Sequence, residues 1–326
     1  MGELALGDGI GGITHRTVAV NGIRLHIAEK GTGPAVLLLH GFPELWYSWR
    51  HQISYLSSRG YRAVAPDLRG FGDSDAPLPH DCYTMLHVVG DIVALIQFLG
   101  EEKVFVVGHD WGAIVAWNLC MFRPDLVRSV VALSVAFMPR NPLRKPLDTL
   151  RLVYGDDYYV CAFQEKERAE GEFAQIDLKL LMKKFLTYHD PKPVIVPRGK
   201  GFSTPPEKEI VLPAWLSEED VEYFANKFRC TGFTGGVNYY RALDLNWELT
   251  AAWTGAQIKV PAKFIVGDED LTYHFPGAKE YIHHGGFRKD VPLLQDVVVI
   301  EGAGHFINQE KAMEIAEHIY EFISNI

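Results

Sequence analysis

Residues 108–112, Gly-His-Asp-Trp-Gly, follow an apolar run and place an acid between two glycines. This small-x-acid-x-small pattern is typical of a sharp strand-to-helix turn that projects its central residue, here Asp110, above a sheet. A carboxylate exposed in this way can act as a nucleophile. The amide of Trp111 would then point from the start of the next helix towards the carboxylate oxygen. The alternative is that Asp110 only caps that helix, a role Asp often takes after a strand.

Three further segments could complete such a site. Residues 39–43, Leu-His-Gly-Phe-Pro, follow another apolar run, and the amide of Phe42 is placed to be a second oxyanion donor. Residues 267–270, Gly-Asp-Glu-Asp, supply acids after the apolar run at residues 263–266. Residues 301–306 place His305 on a turn after the apolar run at residues 297–300. The order of nucleophile, acid and histidine, each just after a strand, indicates a catalytic triad.

The type of nucleophile limits the substrate. A carboxylate that attacks an acyl group gives a reactive anhydride, whereas attack on an sp³ carbon gives an ordinary ester that water can hydrolyse. The substrate should therefore offer an electrophilic alkyl carbon, as an epoxide or an alkyl halide does. His305 would deprotonate the water, and the amides of Phe42 and Trp111 would stabilise the oxyanion that forms at Asp110.

The leaving group separates the two substrates. Epoxide opening gives an alkoxide, so an acid with a pKa near ~10 such as tyrosine can donate a proton to it. A halide needs only N–H donors. The region between the Asp110 motif and residues 267–270 contains several tyrosines, at Tyr154, Tyr158, Tyr159, Tyr239 and Tyr240. Tyrosines more often serve in packing, and only one member of each adjacent pair is expected to face a pocket.

Two other polar residues flank the predicted nucleophile. Glu44 follows the Phe42 motif, and His109 directly precedes Asp110. They either order the hydrolytic water or serve only in structural hydrogen bonding, and both interpretations are open at this point.

The elements that must position these residues alternate between strands and helices. Strands are predicted at residues 17–20, 23–28, 35–39, 61–65, 104–107, 127–133, 263–266 and 297–300. Helices are predicted at residues 46–58 and 84–99, after Trp111, from Ser217 onward, and at the C-terminus. Continuous apolar strands between helices are typical of a parallel sheet, while Asn21-Gly22 predicts an antiparallel hairpin.

The alternation stops after the first six strands, and the chain becomes helical and irregular until about residue 250. We therefore predict an α/β fold with a mostly parallel central sheet, with residues 1–137 and 251–326 forming the core. Residues 138–250 would form an inserted helical cap. Such insertions commonly cover the strand ends where ligands bind.

Composition excludes several classes of protein. The 326 residues are 48% hydrophobic, and 32 basic against 41 acidic residues give a net charge of −9, which disfavours disorder and nucleic-acid binding. No apolar stretch approaches the roughly 20 residues that span a bilayer. The first residues lack the basic segment of a signal peptide, so we expect a cytoplasmic protein. Glycine-rich residues 2–12 predict a loose tail.

Neither a disulfide scaffold nor a metal site is expected. The four cysteines are widely spaced, and the thirteen histidines show no metal-binding spacing. Reduced, partly buried thiols are the expected state of the cysteines.

From about residue 17 to its end the chain resembles the plant soluble epoxide hydrolases, which are capped members of the α/β-hydrolase family. The resemblance rests on the motifs His40-Gly-Phe-Pro-Glu44, Gly108-His-Asp-Trp-Gly112, Asp157-Tyr-Tyr159, Asn238-Tyr-Tyr-Arg241, Gly267-Asp-Glu-Asp270 and Gly304-His305. It implies that Asp110 is the nucleophile, His305 the base and Asp270 its orienting acid. It also implies that Tyr159 and Tyr240 assist ring opening.

The resemblance implies hydrolysis of small-molecule epoxides, epoxy fatty acids and aryl epoxides among them, to vicinal diols by water, without cofactor or metal. The acids Asp268 and Glu269 depart from the pattern and could compete with Asp270. The alternatives are a haloalkane dehalogenase on the same scaffold and a non-catalytic hormone-binding receptor. Whether the protein is a monomer or a homodimer stays open.

Overall fold

One sheet dominates the fold in the computed structural model of the chain, which describes residues 10–326. Its strands are Thr14–Val20 (β1), Ile23–Lys30 (β2), Ala35–Leu39 (β3), Arg62–Pro66 (β4), Val104–His109 (β5), Val127–Leu133 (β6), Ala262–Gly267 (β7) and Leu294–Ile300 (β8). They lie in the order β1-β2-β4-β3-β5-β6-β7-β8. The pairs β1-β2 and β2-β4 are antiparallel and the other pairs are parallel. The mostly parallel sheet is thereby confirmed.

Burial explains why these residues form strands. Every residue of β3 and of β5 is buried, as expected for apolar runs covered on both faces. The hairpin between β1 and β2 turns at Asn21 and Gly22, which both have positive φ. Most of the predicted tail at residues 2–12 lies outside the described residues.

Helices cover the sheet and fill the interval between β6 and β7. The α-helices are Arg50–Ser58 (α1), Met85–Phe98 (α2), Trp111–Phe122 (α3), Pro146–Tyr154 (α4), Tyr159–Ala162 (α5), Arg168–Phe173 (α6), Leu178–Leu186 (α7), Glu218–Thr231 (α8), Thr234–Arg241 (α9), Leu243–Leu249 (α10), Ala278–His283 (α11), Gly286–Asp290 (α12), Ile307–Glu310 (α13) and Ala312–Ile323 (α14). The 3₁₀ turns are Ile10–Gly12, Trp46–Trp49, His80–Tyr83, Pro124–Leu126, Ala251–Trp253 and Leu271–His274.

The helix predicted over residues 46–58 begins differently from the expectation. Its first four residues, Trp46–Trp49, form a 3₁₀ turn, and α1 starts only at Arg50. The amide of Trp46 donates to the buried carboxylate of Asp67 at 2.9 Å, so a tertiary contact satisfies the first free donor of this segment.

Helices α4 to α10 lie between β6 and β7, within the predicted cap of residues 138–250. We call residues 134–261 the helical insertion; the limits of a separate cap domain stay a prediction. Helix α8 starts at the predicted Ser217 with a reciprocal capping box. The Ser217 hydroxyl accepts from the Asp220 amide at 3.1 Å, and the Asp220 carboxylate accepts from the Ser217 amide at 2.8 Å.

The loop after β4 packs directly on helix α9 of the helical insertion. A Cβ on Gly235 would lie 2.4 Å from the Gly70 carbonyl oxygen, so the two backbones touch where both residues lack side chains. Next to this contact, the Tyr239 hydroxyl donates to the Arg69 carbonyl at 3.1 Å. These contacts place Tyr240, the next residue of α9, above the end of β5.

Two further features of the described residues concern membrane-spanning helices and the cysteines. Within residues 10–326, no helix combines the length and the apolar character needed to cross a bilayer. The four cysteines are free thiols: Cys120 and Cys161 are buried, Cys82 is half-buried and Cys230 is exposed.

Candidate active site

Asp110 occupies a strained turn at the end of β5. Its backbone has φ 53° and ψ −120°, a conformation that non-glycine residues rarely adopt. A Cβ on Gly108 would lie 2.3 Å from the Gly112 carbonyl oxygen, and one on Gly112 would lie 2.0 Å from the Leu39 carbonyl oxygen. Glycine is therefore required at both positions, because the start of α3 presses against β3 and β5.

The Asp110 carboxylate faces two groups rather than the helix that follows it. Its Oδ1 accepts a hydrogen bond from the Phe42 amide at 2.8 Å, and its Oδ2 lies 3.4 Å from His305 Nε2. The side chain makes no capping hydrogen bond to α3, so the capping alternative is wrong. Trp111 begins α3, and its amide is one of the first-turn donors that no helical carbonyl can reach.

Asp270 is the acid that contacts His305. Its Oδ1 lies 2.9 Å from His305 Nδ1 and also accepts from the amide and hydroxyl of Thr272, each at 2.9 Å. The competing acids have other partners. Asp268 accepts from the Gly302 amide at 2.8 Å, and Glu269 pairs with a histidine of the helical insertion.

The two carboxylates determine the charge on His305. Burial by itself would lower the pKa of the imidazole, but Asp270 and Asp110 outweigh it and raise that pKa well above its ordinary value. Burial would likewise raise the pKa of Asp270, but the interaction with His305 lowers it. The two carboxylates therefore favour the imidazolium form of His305.

One tyrosine of each adjacent pair lines the cavity above Asp110. These are Tyr159 on α5 and Tyr240 on α9, whose ring centroids lie 5.6 Å apart. Their neighbours point elsewhere: Tyr158 stacks on Tyr154 at 4.5 Å, and Tyr239 is the residue bonded to the loop after β4. Burial, aided by the nearby Asp110 charge, raises the pKa of both cavity tyrosines well above 10, so their hydroxyls stay protonated at neutral pH.

The cavity lies between the carboxyl ends of the strands and the helical insertion, and its volume is about 250 Å³. Most of its lining is apolar or aromatic. The lining residues are Phe42, Pro43, Asp110, Tyr159, Phe163, Lys184, Phe185, Tyr188, Val194, Ile195, Val196, Lys200, Gly201, Phe202, Tyr240, Leu271, Thr272, His305 and Phe306. A cavity that is mostly apolar, with a few polar side chains around the reactive residues, suits a small apolar substrate.

Glu44 and His109 lie behind the nucleophile turn and do not line the cavity. Glu44 is fully buried and accepts from the Gly41 amide at 3.1 Å and from His109 Nδ1 at 2.5 Å. Despite burial, the pairing with His109 lowers the pKa of Glu44 to about 2, and Glu44 raises the pKa of His109. The structural hydrogen bonding is thus present, while a role in ordering water stays a prediction.

Three residues that contact the predicted triad or the loop carrying His305 were not predicted from the sequence. Ser134, at the end of β6, has a positive φ of 68° and donates through its hydroxyl to the His305 carbonyl at 3.1 Å. Thr272 donates to Asp270, and Glu310 accepts from the backbone amides on either side of His305. The position of Thr272 two residues after an acid is a turn signal that could have revealed it. The sequence around Ser134 and Glu310 carries no comparable signal.

One group of metal-ligating side chains occurs among residues 10–326, formed by His26, Asp67 and Asp73, whose ligand atoms lie within 4.8 Å of one another. These atoms already have protein partners. His26 Nδ1 lies 2.8 Å from an Asp67 oxygen, and Asp73 pairs with Lys227. The group does not line the cavity, so it takes no part in the site around Asp110.

Comparison with known proteins agrees with this architecture. Residues 34–312 match the family described as the alpha/beta hydrolase fold. Epoxide hydrolase 1 of Siraitia grosvenorii is 63% identical over 95% of this chain and 98% of its own length, and epoxide hydrolase A of Mycobacterium tuberculosis is 37% identical over 97% and 99%. Solved structures of the epoxide hydrolases of Vigna radiata and potato superpose with TM-scores of 0.92 and 0.93. Each is 59% identical and covers 96% of this chain, and the matches span 99% and 100% of those two chains. The chain therefore belongs to the α/β-hydrolase fold family and, within it, to the epoxide hydrolases, with plant enzymes among its relatives.

Proposed function

We propose that this epoxide hydrolase converts epoxides to vicinal diols through a covalent ester on Asp110. The observation that carries the proposal is the convergence of Asp110, His305, Tyr159 and Tyr240 on one largely apolar cavity. A carboxylate nucleophile, a base and two acids are the groups that opening an epoxide and hydrolysing an ester require.

In the first step Asp110 Oδ2 attacks an epoxide carbon and the carbon–oxygen bond of the ring breaks. Oδ2 is the attacking atom because Oδ1 is held by the Phe42 amide at 2.8 Å. The ring oxygen takes a proton from Tyr159 or Tyr240, whose hydroxyls are protonated and face the same cavity. The product of this step is an alkyl ester of Asp110.

In the second step water attacks the carbonyl carbon of that ester. Forming the ester removes the negative charge of Asp110, one of the two charges that raise the pKa of His305. The pKa of His305 therefore falls, and its proton returns to the tyrosine that protonated the ring oxygen. The freed Nε2 then takes a proton from the attacking water. The oxyanion on Oδ1 is stabilised by the amides of Phe42 and Trp111, and its collapse releases the diol and restores Asp110.

The apolar lining of the cavity favours epoxides carried on apolar groups, and we propose epoxy fatty acids and aryl epoxides as members of that class. Asp270 keeps His305 in the tautomer that presents Nε2 to the water. No step uses a cofactor or metal. We place the enzyme in the cytoplasm, as a monomer or homodimer.

The test is single-turnover hydrolysis of an aryl epoxide in ¹⁸O-water, with enzyme in excess and mass analysis of the diol. The proposal predicts an unlabelled diol, because its new oxygen comes from Asp110, and an enzyme that has gained ¹⁸O. A labelled diol would contradict the ester and indicate direct attack by water. Absence of diol, with halide released from an alkyl halide, would favour dehalogenation instead.

A further inference from the structure

A carboxylate outside the predicted triad holds the loop that carries His305. Glu310, at the end of α13, accepts from the Gly304 amide through Oε2 at 2.8 Å and from the Phe306 amide through Oε1 at 2.9 Å. These two amides flank His305, so one carboxylate fixes the backbone on both sides of it. The Glu310 side chain is only 6% exposed, which favours strong, charge-assisted hydrogen bonds.

The carbonyl of His305 is held from the opposite side. His109 Nε2 donates to it at 2.6 Å and the Ser134 hydroxyl at 3.1 Å. Asp270 then fixes the imidazole itself at 2.9 Å. The His305 carbonyl and the amides of Gly304 and Phe306 all have hydrogen-bond partners, and we call this set of contacts the backbone clamp. The direction of Nε2 towards Asp110 therefore depends on the backbone clamp as well as on Asp270.

The helical insertion reaches this clamp through His189, which follows α7. His189 Nε2 lies 3.5 Å from Glu310 Oε2, and its Nδ1 lies 2.8 Å from Glu269 Oε2. A Cβ on Gly304 would lie 2.5 Å from the His189 ring, so glycine at that position admits the histidine. The preceding residue, Tyr188, lines the cavity, so this segment of the helical insertion contacts both the cavity and the loop that carries His305.

We propose that Glu310 is a positioning residue for the base His305 and that His189 connects it to the helical insertion. The inference rests on the proposed function, in which the base acts in ester hydrolysis and not in ester formation. Glu310 does not line the cavity, so it acts on the reaction only through His305. Its loss should slow the second step and spare the first.

The test compares rate constants for ester formation and ester hydrolysis in Glu310→Gln. The glutamine keeps the size and one acceptor but turns an N–H₂ group towards a backbone N–H. We expect hydrolysis to slow about 10- to 100-fold, a range typical of a misplaced catalytic group, with ester formation within about twofold and the ester accumulating at steady state. Glu317→Gln, an exposed acid on α14, is the matched control and should change neither step.

A second variant tests the link to the helical insertion. His189→Ala should slow hydrolysis about two- to threefold in the native background and have no further effect in Glu310→Gln, since the two side chains act through one contact. If Glu310→Gln does not fold, the test rests on His189→Ala alone, and an unchanged rate of ester hydrolysis in that variant overturns the inference. Equal slowing of both steps, or unchanged hydrolysis, in Glu310→Gln does the same. Absence of any ester in His305→Gln would instead overturn the proposed function and this inference together.

Discussion

The two cavity tyrosines offer the sharpest test of how the ring is opened. Tyr159 and Tyr240 face the cavity with protonated hydroxyls, their rings 5.6 Å apart, and either can donate to the oxygen that leaves carbon. A hydrogen bond to a charged oxygen is worth about 1.5–3 kcal/mol. At about 1.36 kcal/mol per factor of ten, Tyr159→Phe and Tyr240→Phe should each slow ester formation about 10- to 160-fold.

A variant that lacks both hydroxyls shows whether Tyr159 and Tyr240 can replace each other as proton donor or act independently. When both hydroxyls are lost, no protonated donor remains to replace either one, so the loss in Tyr159→Phe/Tyr240→Phe should exceed the product of the two single losses. The assay is the single-turnover rate of ester formation, followed by rapid quenching and intact-mass detection of the adduct.

Tyr239→Phe is the matched control for Tyr240→Phe. Tyr239 is the adjacent residue and is also buried, but its hydroxyl donates to the Arg69 carbonyl and not into the cavity. Its loss should lower the free energy of unfolding by about 1 kcal/mol and leave ester formation within about twofold. If ester formation is unchanged in both cavity variants and in the double variant, the tyrosines serve only in packing and the assignment fails.

Three further predictions follow from the site and its surroundings. Asp110→Ala should abolish turnover, and His305→Gln should trap the ester, which intact-mass spectrometry would detect; substrate consumed by His305→Gln without an adduct would refute the covalent mechanism. Because the pKa of His305 is raised in the folded state, its charge stabilises the fold fully below about pH 6.5, the ordinary value, and this contribution is lost as pH rises through the raised pKa. Denaturant midpoints across that window should therefore fall with pH in the native enzyme and fall less in Asp270→Asn, and an equal fall would refute the assignment. Gly235→Ala would place a Cβ 2.4 Å from the Gly70 carbonyl oxygen and should cost about 1–3 kcal/mol of unfolding free energy, which native stability in a denaturation curve would contradict.

Local patterns in the chain determined the scaffold and the order of the residues in the predicted triad. Apolar runs predicted the buried strands, and Asn21-Gly22 predicted the hairpin, because hydrophobic periodicity and turn geometry act over a few residues. The glycines around Asp110 predicted its turn for the same reason. The predicted elements differ from the structure mainly at their ends, as at Trp46–Trp49, which form a 3₁₀ turn in place of the first predicted turn of α-helix.

Choices between neighbouring residues of one type were decided only by tertiary structure. Sequence spacing cannot tell Tyr159 from Tyr158, because the choice depends on how a helix of the insertion is rotated over the sheet. Among the three acids after β7, only Asp270 reaches His305, since backbone amides and His189 take the other two. The contacts of Ser134 and Glu310 with the loop that carries His305 likewise arise only when separate chain segments fold together. The sequence by itself determined which chemistry the chain could carry, because that depends on residue type and local turn geometry. The fold decided which atoms meet, because contacts between distant segments depend on the packing of the whole molecule.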